Sequence, residues 1–223
     1  MRCFTCRATE VEVAREFAVV RLPRLRDRLN IVPPQPVLAV RLFEDTGPRE
    51  AVMLEWGLIP AWAKDETLRN VTYNARADCV ATWAAFRESF KHRRCLIVAS
   101  GYYVGTDDHQ CWVGAENRSL LAFAGLWDRW VGPQGVVESC AIIVAKANSQ
   151  LAEVADEMPV IIPRSDYAAW ISPMQQPEIL HRLLQQHSRE QAHLEILDAR
   201  TADPLFLSTP DHDSELSAAA RDW

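Results

Sequence analysis

The sequence lacks any apolar run of the roughly 20 residues that a membrane-spanning helix needs. Met1 to Phe17 carries charges throughout and has no apolar stretch of the signal-peptide kind. The expectation is a cytoplasmic protein with no membrane partner, whose six cysteines are mostly reduced thiols. No Gly/Ser-rich or Pro-rich linker divides the 223 residues, and no internal repeat occurs. One domain is therefore expected over residues 1–207, followed by a tail, 208–223, that is acidic and then alanine-rich. There is no P-loop, no G-x-G-x-x-G and no H-E-x-x-H, so nothing points to a nucleotide cofactor or a zinc peptidase. An excess of positive charge is also missing. The net charge of -6 counts against a uniformly basic nucleic-acid binder but leaves room for a local basic patch.

What is present is 48% hydrophobic and 24% charged, the balance of a globular chain. Thr9 is placed to cap a helix with Glu10 and Glu12 in its first turn and Val11, Ala14 and Phe17/Ala18 on one face. Asn30 to Val37 (NIVPPQPV) holds three prolines and must be extended or turned. Ala51 to Ile59 reads as a buried strand stopped at Pro60. Cys79 to Phe90 has helical spacing. Cys95 to Ala99, Leu120 to Trp127, Ser139 to Ala145 and Pro159 to Pro163 read as strands. Asn148 is placed to cap a helix through about Val154 and Ser165 a turn through Trp170, and Pro177 sits near the start of a helix to about His187. Strands and helices alternate irregularly, which gives an α+β fold rather than a doubly wound sheet.

Four segments can carry chemistry. Cys3 and Cys6 form a C-x-x-C, which is a redox pair, half of a zinc site or two unrelated thiols. No second C-x-x-C or H-x₃₋₅-H follows, so no metal is expected. Arg87, Lys91, Arg93 and Arg94, with His92 among them, are either a solvated helix end or a phosphate track. Trp56 and Trp62 flank a turn, and are either core residues or faces for stacking on bases. In a strand, Asn74 and Arg76 share a face. An amide beside a guanidinium suits a phosphate or a sugar hydroxyl, or else satisfies buried backbone groups.

Taken in order, NIVPPQPV, EWGLIPAWAKD (Glu55 to Asp65), YNARAD (Tyr73 to Asp78), FRESFKHRRCLIVASGYY (Phe86 to Tyr103), AFAGLWDRW (Ala122 to Trp130), Ala147-Asn148 and DEMPVII (Asp156 to Ile162) resemble the SRAP family, the SOS-response-associated peptidase domains that sense abasic sites in single-stranded DNA. The resemblance implies a single α+β domain with mostly antiparallel strands curled into a barrel-like core and flanked by helices. It implies a positively charged cleft for single-stranded DNA that brings an abasic site to the N-terminus.

The chemistry it implies starts from a cysteine made residue one by loss of methionine. Its α-amine attacks the abasic aldehyde and its thiol closes a thiazolidine, a DNA–protein crosslink that only a 1,2-aminothiol can form. A glutamate and a histidine assist, and an asparagine and an arginine hold the lesion.

Carried over, the asparagine and arginine are Asn74 and Arg76, and the cysteine is Cys3. Asn30 and Pro33 of the proline-rich turn, with Trp56 and Gly57, match positions lining the DNA groove. Met158 and Pro159 match a further motif, and Arg93 and Arg94 come from the basic run. The sequence then departs from the family. It begins Met1-Arg2-Cys3 rather than M-C-G-R, so Cys3 is expected to stay internal behind the large Arg2. Val104 stands for the glutamate, Ala155 for the histidine, Glu157 for a basic residue and Ala145 for a threonine. Asp107 and Asp108 are the nearest substitute carboxylates.

The expected function is binding of single-stranded DNA at abasic sites, with crosslinking reduced or altered. The alternatives are a non-catalytic protein-interaction module, and a crosslinker acting through Cys3 after loss of Met1 and Arg2. No cofactor, no general protease activity and a monomer are expected.

Overall fold

The computed structural model describes residues 1–106, 109–189 and 194–199. Among them the chain forms β1 (Phe4–Cys6), α1 (Glu10–Phe17), β2 (Arg28–Ile31), β3 (Pro36–Leu42), β4 (Arg49–Trp56), β5 (Asn74–Arg76), α2 (Arg87–His92), β6 (Arg94–Ala99), β7 (Gly101–Thr106), β8 (His109–Ala115), β9 (Leu121–Gly132), β10 (Gly135–Lys146), β11 (Glu157–Pro159), α3 (Tyr167–Ile171), α4 (Pro177–Arg189) and β12 (Leu194–Asp198).

Strands β10, β4, β3, β6 and β9 follow one another, and β9 pairs back with β10, so five strands close into a barrel. β11 and β5 extend it from β10. A second sheet runs β12-β8-β7-β1-β2. The pairing is antiparallel apart from β10 with β4 and β10 with β5, both parallel. This is the α+β, barrel-like architecture expected. Closure removes the open edges that a flat sheet of this size would present. Every residue of β6 is buried, because one side of the strand faces the barrel interior and the other is covered by α3.

The Thr9 cap forms as expected. Its Oγ1 accepts from the Glu12 amide at 3.2 Å, and Glu12 Oε2 accepts from the Thr9 amide at 2.8 Å. The buried face of α1 differs from expectation. Val13 and Phe17 are buried while Val11 is 76% exposed. Both faces satisfy helical spacing, and the choice is made by Phe17 stacking on Tyr167 at 5.2 Å between ring centroids.

The expected helix over Cys79 to Phe90 is a run of single turns that becomes helical only at Arg87. Thr82 Oγ1 donates to the Cys79 carbonyl at 3.0 Å, competing with helix propagation. Likewise, Asn148 Oδ1 accepts from the amides of Gln150 and Leu151, but the chain makes only turns there. At Ser165 no side-chain cap forms, and a short 3₁₀ turn, Arg164–Asp166, leads into α3.

β4 ends earlier than expected, at Trp56. Gly57 has φ +143°, and a Cβ there would lie 2.7 Å from the Arg69 carbonyl oxygen. This tight approach turns the chain out of the barrel into the 57–73 loop. Thr72 Oγ1 donates to the carbonyls of Leu58 at 2.6 Å and Leu68 at 2.7 Å, which folds the loop back on itself. The loop then delivers the chain to β5 beside β10, with Asn74 level with Ile142 and Arg76 level with Val144.

Candidate functional site

Asn74 and Arg76 sit on β5 with buried Ala75 between them, so strand alternation puts both on the outer face. Arg76 is exposed. Its guanidinium meets Asp78 at 2.7 Å on one side and Glu157 of β11 at 3.7 Å on the other. The Asp78 partnership keeps the guanidinium firmly charged and holds the Asp78 carboxyl below the usual carboxylate range.

Asn74 Nδ2 donates to the Met1 carbonyl at 2.6 Å. Its Oδ1 is buried and has no hydrogen-bond partner among the described residues. An amide oxygen in that condition is costly unless a donor arrives. The N-terminal residue is thus fastened to β5. Burial pushes the Met1 ammonium below its ordinary pKa, while Glu157 acts in the opposite direction and Arg2 adds to the lowering.

Cys3 does not share this position. Its Sγ donates to Asn30 Oδ1 at 3.9 Å, and burial pushes the thiol up to about 12. Cys6 is buried three residues along β1, on the opposite side of the strand, and both thiols are free. The C-x-x-C is therefore two separate thiols here rather than a pair. Among the described residues no three His, Cys, Asp or Glu side chains are grouped to hold a metal.

The proline-rich turn packs at the end of β4. Gln35 donates its amide to the Val32 carbonyl at 2.8 Å, and the Trp56 amide donates to the Gln35 carbonyl at 3.1 Å. Arg28 pins the same turn through Gln35 Oε1 at 2.9 Å and the Pro36 carbonyl. Asn30 adopts φ 54° beside Cys3, and Pro33 is half-buried in this turn.

Several side chains read as DNA contacts are placed otherwise. Trp56 is fully buried, edge-on to Phe4 at 5.2 Å, and its indole N–H donates to the Tyr73 carbonyl at 2.7 Å. It offers no face to a base. It ties β1, β4 and the residue preceding Asn74 together. Trp62, by contrast, is 58% exposed. Gly57 serves the tight turn described above. Met158 and Pro159 are buried beside the end of β10, at the register of Ala145 and Val144.

Arg94 is 1% exposed, with its guanidinium donating to the carbonyls of Trp170, Phe90 and Ser172. Arg93 meets the buried Asp128 at 3.1 Å. The basic run is thus no continuous phosphate track. Arg94 faces inward because three backbone carbonyls lie within reach of its fork, and Glu88 sits between Arg87 and Lys91 at 3.6 and 3.5 Å.

Val104 is buried on β7, next to Tyr103, whose amide donates to the Cys3 carbonyl at 3.2 Å. Ala155 packs against the hydrophobic core. Neither can move a proton. Asp107, Asp108 and the tail 208–223 lie outside the described residues.

Sequence reasoning missed two members of this site, Met1 and Glu157. The signal for Glu157 was present in the motif Asp156 to Ile162, where an acid stands in place of a base. Nothing in the sequence signals that residue 1 lies on residue 74.

Comparison with known proteins adds the following. The sequence profile of SRAP, SOS response associated peptidase, matches residues 2–202. The abasic site processing protein YoqW of Bacillus subtilis (strain 168) is 32% identical over 168 residues, covering 72% of this chain and 74% of that protein. YoaM of the same strain, another abasic site processing protein, is 33% identical over 162 residues and covers 70% of each. The abasic site processing protein HMCES of Mus musculus is 29% identical over 189 residues, which cover 54% of its length. In fold, the chain is similar to a crystal structure of a Bacteroides thetaiotaomicron protein, with TM-score 0.78, 19% identity and coverage of 94% and 95% of the two chains. A Bordetella bronchiseptica protein follows at TM-score 0.72 and 19% identity, with 89% of this chain and 99% of that one covered.

Proposed function

The chain belongs to the SRAP family, and from that premise we propose that it binds single-stranded DNA at abasic sites, with the lesion seated against Asn74 and the adjoining phosphate against Arg76. A DNA-damage role at abasic sites is supported by its abasic site processing relatives. The observation that carries the reading is the pairing of a buried, half-satisfied Asn74 amide with an exposed Arg76 on one strand face. The amide oxygen calls for a hydroxyl or amine donor, and the guanidinium suits phosphate. Exposed Trp62 offers a stacking face of the kind single-strand binders use.

The thiazolidine step is lost or altered in this reading. Cys3 is internal, its thiol is held protonated by burial, and Val104 and Ala155 leave no acid or base at the positions they occupy. Binding is also expected to be modest and salt-sensitive, since the positive charge is local and the chain as a whole is negative.

The test is a pair of gels on untagged protein with abasic and undamaged single-stranded oligonucleotides. A native shift that favours the abasic strand, with no band surviving heat denaturation, is the expected result. A heat-stable band would mean that ring closure persists. No shift even at low salt would overturn the reading in favour of an interaction module without DNA.

A further inference from the structure

We propose that the α-amine of Met1, rather than a cysteine, is the group of this chain that reacts with the aldehyde of a ring-opened abasic deoxyribose, and that Glu157 carries the protons of that reaction. The inference rests on the abasic-site reading above and names the reacting group within it.

Three observations meet at one place. The bond from Asn74 Nδ2 to the Met1 carbonyl fixes the residue that bears the amine at the edge of β5. Met1 is only partly exposed there, and that burial favours the neutral, nucleophilic amine near neutral pH, because an α-ammonium ordinarily loses its proton not far above that. Glu157 is the carboxylate that acts on the amine, and the same side chain reaches Arg76 across the end of β10. A carboxylate between an amine and a phosphate-binding arginine is suited to take and return protons. The unpartnered Asn74 Oδ1 is placed to accept from a sugar hydroxyl.

The step balances without any added reagent. The nitrogen lone pair forms a bond to the aldehyde carbon, and the carbonyl oxygen takes a proton to give a carbinolamine. The nitrogen then loses a proton to the carboxylate. The hydroxyl leaves as water with a proton returned from the carboxylic acid, and a C=N double bond remains. Met1 carries a thioether, which has no S–H with which to close a ring on the imine carbon. The Cys3 thiol faces Asn30 and stays protonated. The adduct therefore stops at an imine that water can reverse.

The experiment uses untagged protein whose intact mass establishes Met1 as its first residue, incubated with an abasic single-stranded oligonucleotide with and without sodium borohydride, which reduces an imine to a stable amine. The expected result is a native shift in both samples and a denaturation-resistant band only with borohydride, its mass increment mapping to Met1. Glu157→Gln should slow formation of the trapped band, at equal bound fraction, on the order of a hundred-fold, with part of the rate restored by Glu157→Asp. A native shift with no borohydride-dependent band, or a trapped adduct on a lysine, would overturn the inference and leave the binding reading intact. A heat-stable band without borohydride would overturn it in favour of a thiol adduct. Trapping by Glu157→Gln at the wild-type rate would remove Glu157 from it, and absence of any shift would defeat both proposals.

Discussion

Two stretches of this chain invite the same expectation, and the fold treats them in opposite ways. The basic run of α2 and the start of β6 has the higher charge density. Yet Arg94 is spent on the carbonyls of Phe90, Trp170 and Ser172, and Arg93 on Asp128. The pair on β5 has a single cation, but strand alternation turns Asn74 and Arg76 outward together. Charge density along a sequence measures how many cations there are. Availability to a ligand depends on whether the backbone around each cation has carbonyls left unsatisfied, and a guanidinium is drawn to those first.

The sharpest way to break this comparison is Arg94→Ala. Removing a buried guanidinium leaves three carbonyls without its donors, so a loss of about 3 kcal/mol or more is expected in urea denaturation. The oligonucleotide affinity of whatever remains folded should be unchanged. If stability held and affinity fell, Arg94 would belong to the binding surface after all.

Trp56→Phe comes next, at about 1–2 kcal/mol, from loss of the bond to the Tyr73 carbonyl and of part of the ring. Because that bond fixes the residue before Asn74, affinity for an abasic strand should fall with it. Arg76→Ala should weaken that affinity about ten-fold, equivalent to about 1.4 kcal/mol. As an exposed residue it should change stability by no more than about 0.5 kcal/mol. The smallest effect is expected for Lys91→Ala, within about two-fold in a gel-shift titration, since an exposed lysine beside Glu88 adds little. A reversal in which Lys91→Ala costs more affinity than Arg76→Ala would move the site to α2.

The same contrast marks what the sequence could convey. The strands of the barrel were legible because runs such as CLIVA in β6 and SCAIIVA in β10 are apolar, β-branched and bounded by other signals. The Thr9 cap was legible because both of its partners lie within one turn. Trp56 and Arg94 were misread because their burial depends on distant partners: Tyr73 lies 17 residues from Trp56, and Trp170 and Ser172 lie 76 and 78 residues from Arg94. The turns from Cys79 to Phe86 carry helical periodicity without a continuous helix, because Val80, Phe86 and Phe90 can all be buried from either arrangement. The family resemblance correctly pointed to β5, but not to the residue bound there. The contact of Met1 with Asn74 spans 73 positions and follows from β1 joining β2 and β7, a pairing that no local pattern specifies.

β10 occupies both of its flanks twice. Its first half lies between β9 and β4, and its second half lies between β11 and β5. The same rod therefore locks the barrel at one end and spaces the site at the other. Two strand spacings of about 4.8 Å set the backbone gap between the carriers of Arg76 and Glu157. A slip of one residue in either pairing would turn one of these side chains inward. The width of the cleft at this end is accordingly a property of the ladder. It should be among the last features to yield on denaturation, with amide protons of β10 exchanging only through global unfolding. Freedom for a DNA strand to enter and leave must then come from the segment lying across the ladder, Met1 to Cys3, and its single tether to Asn74.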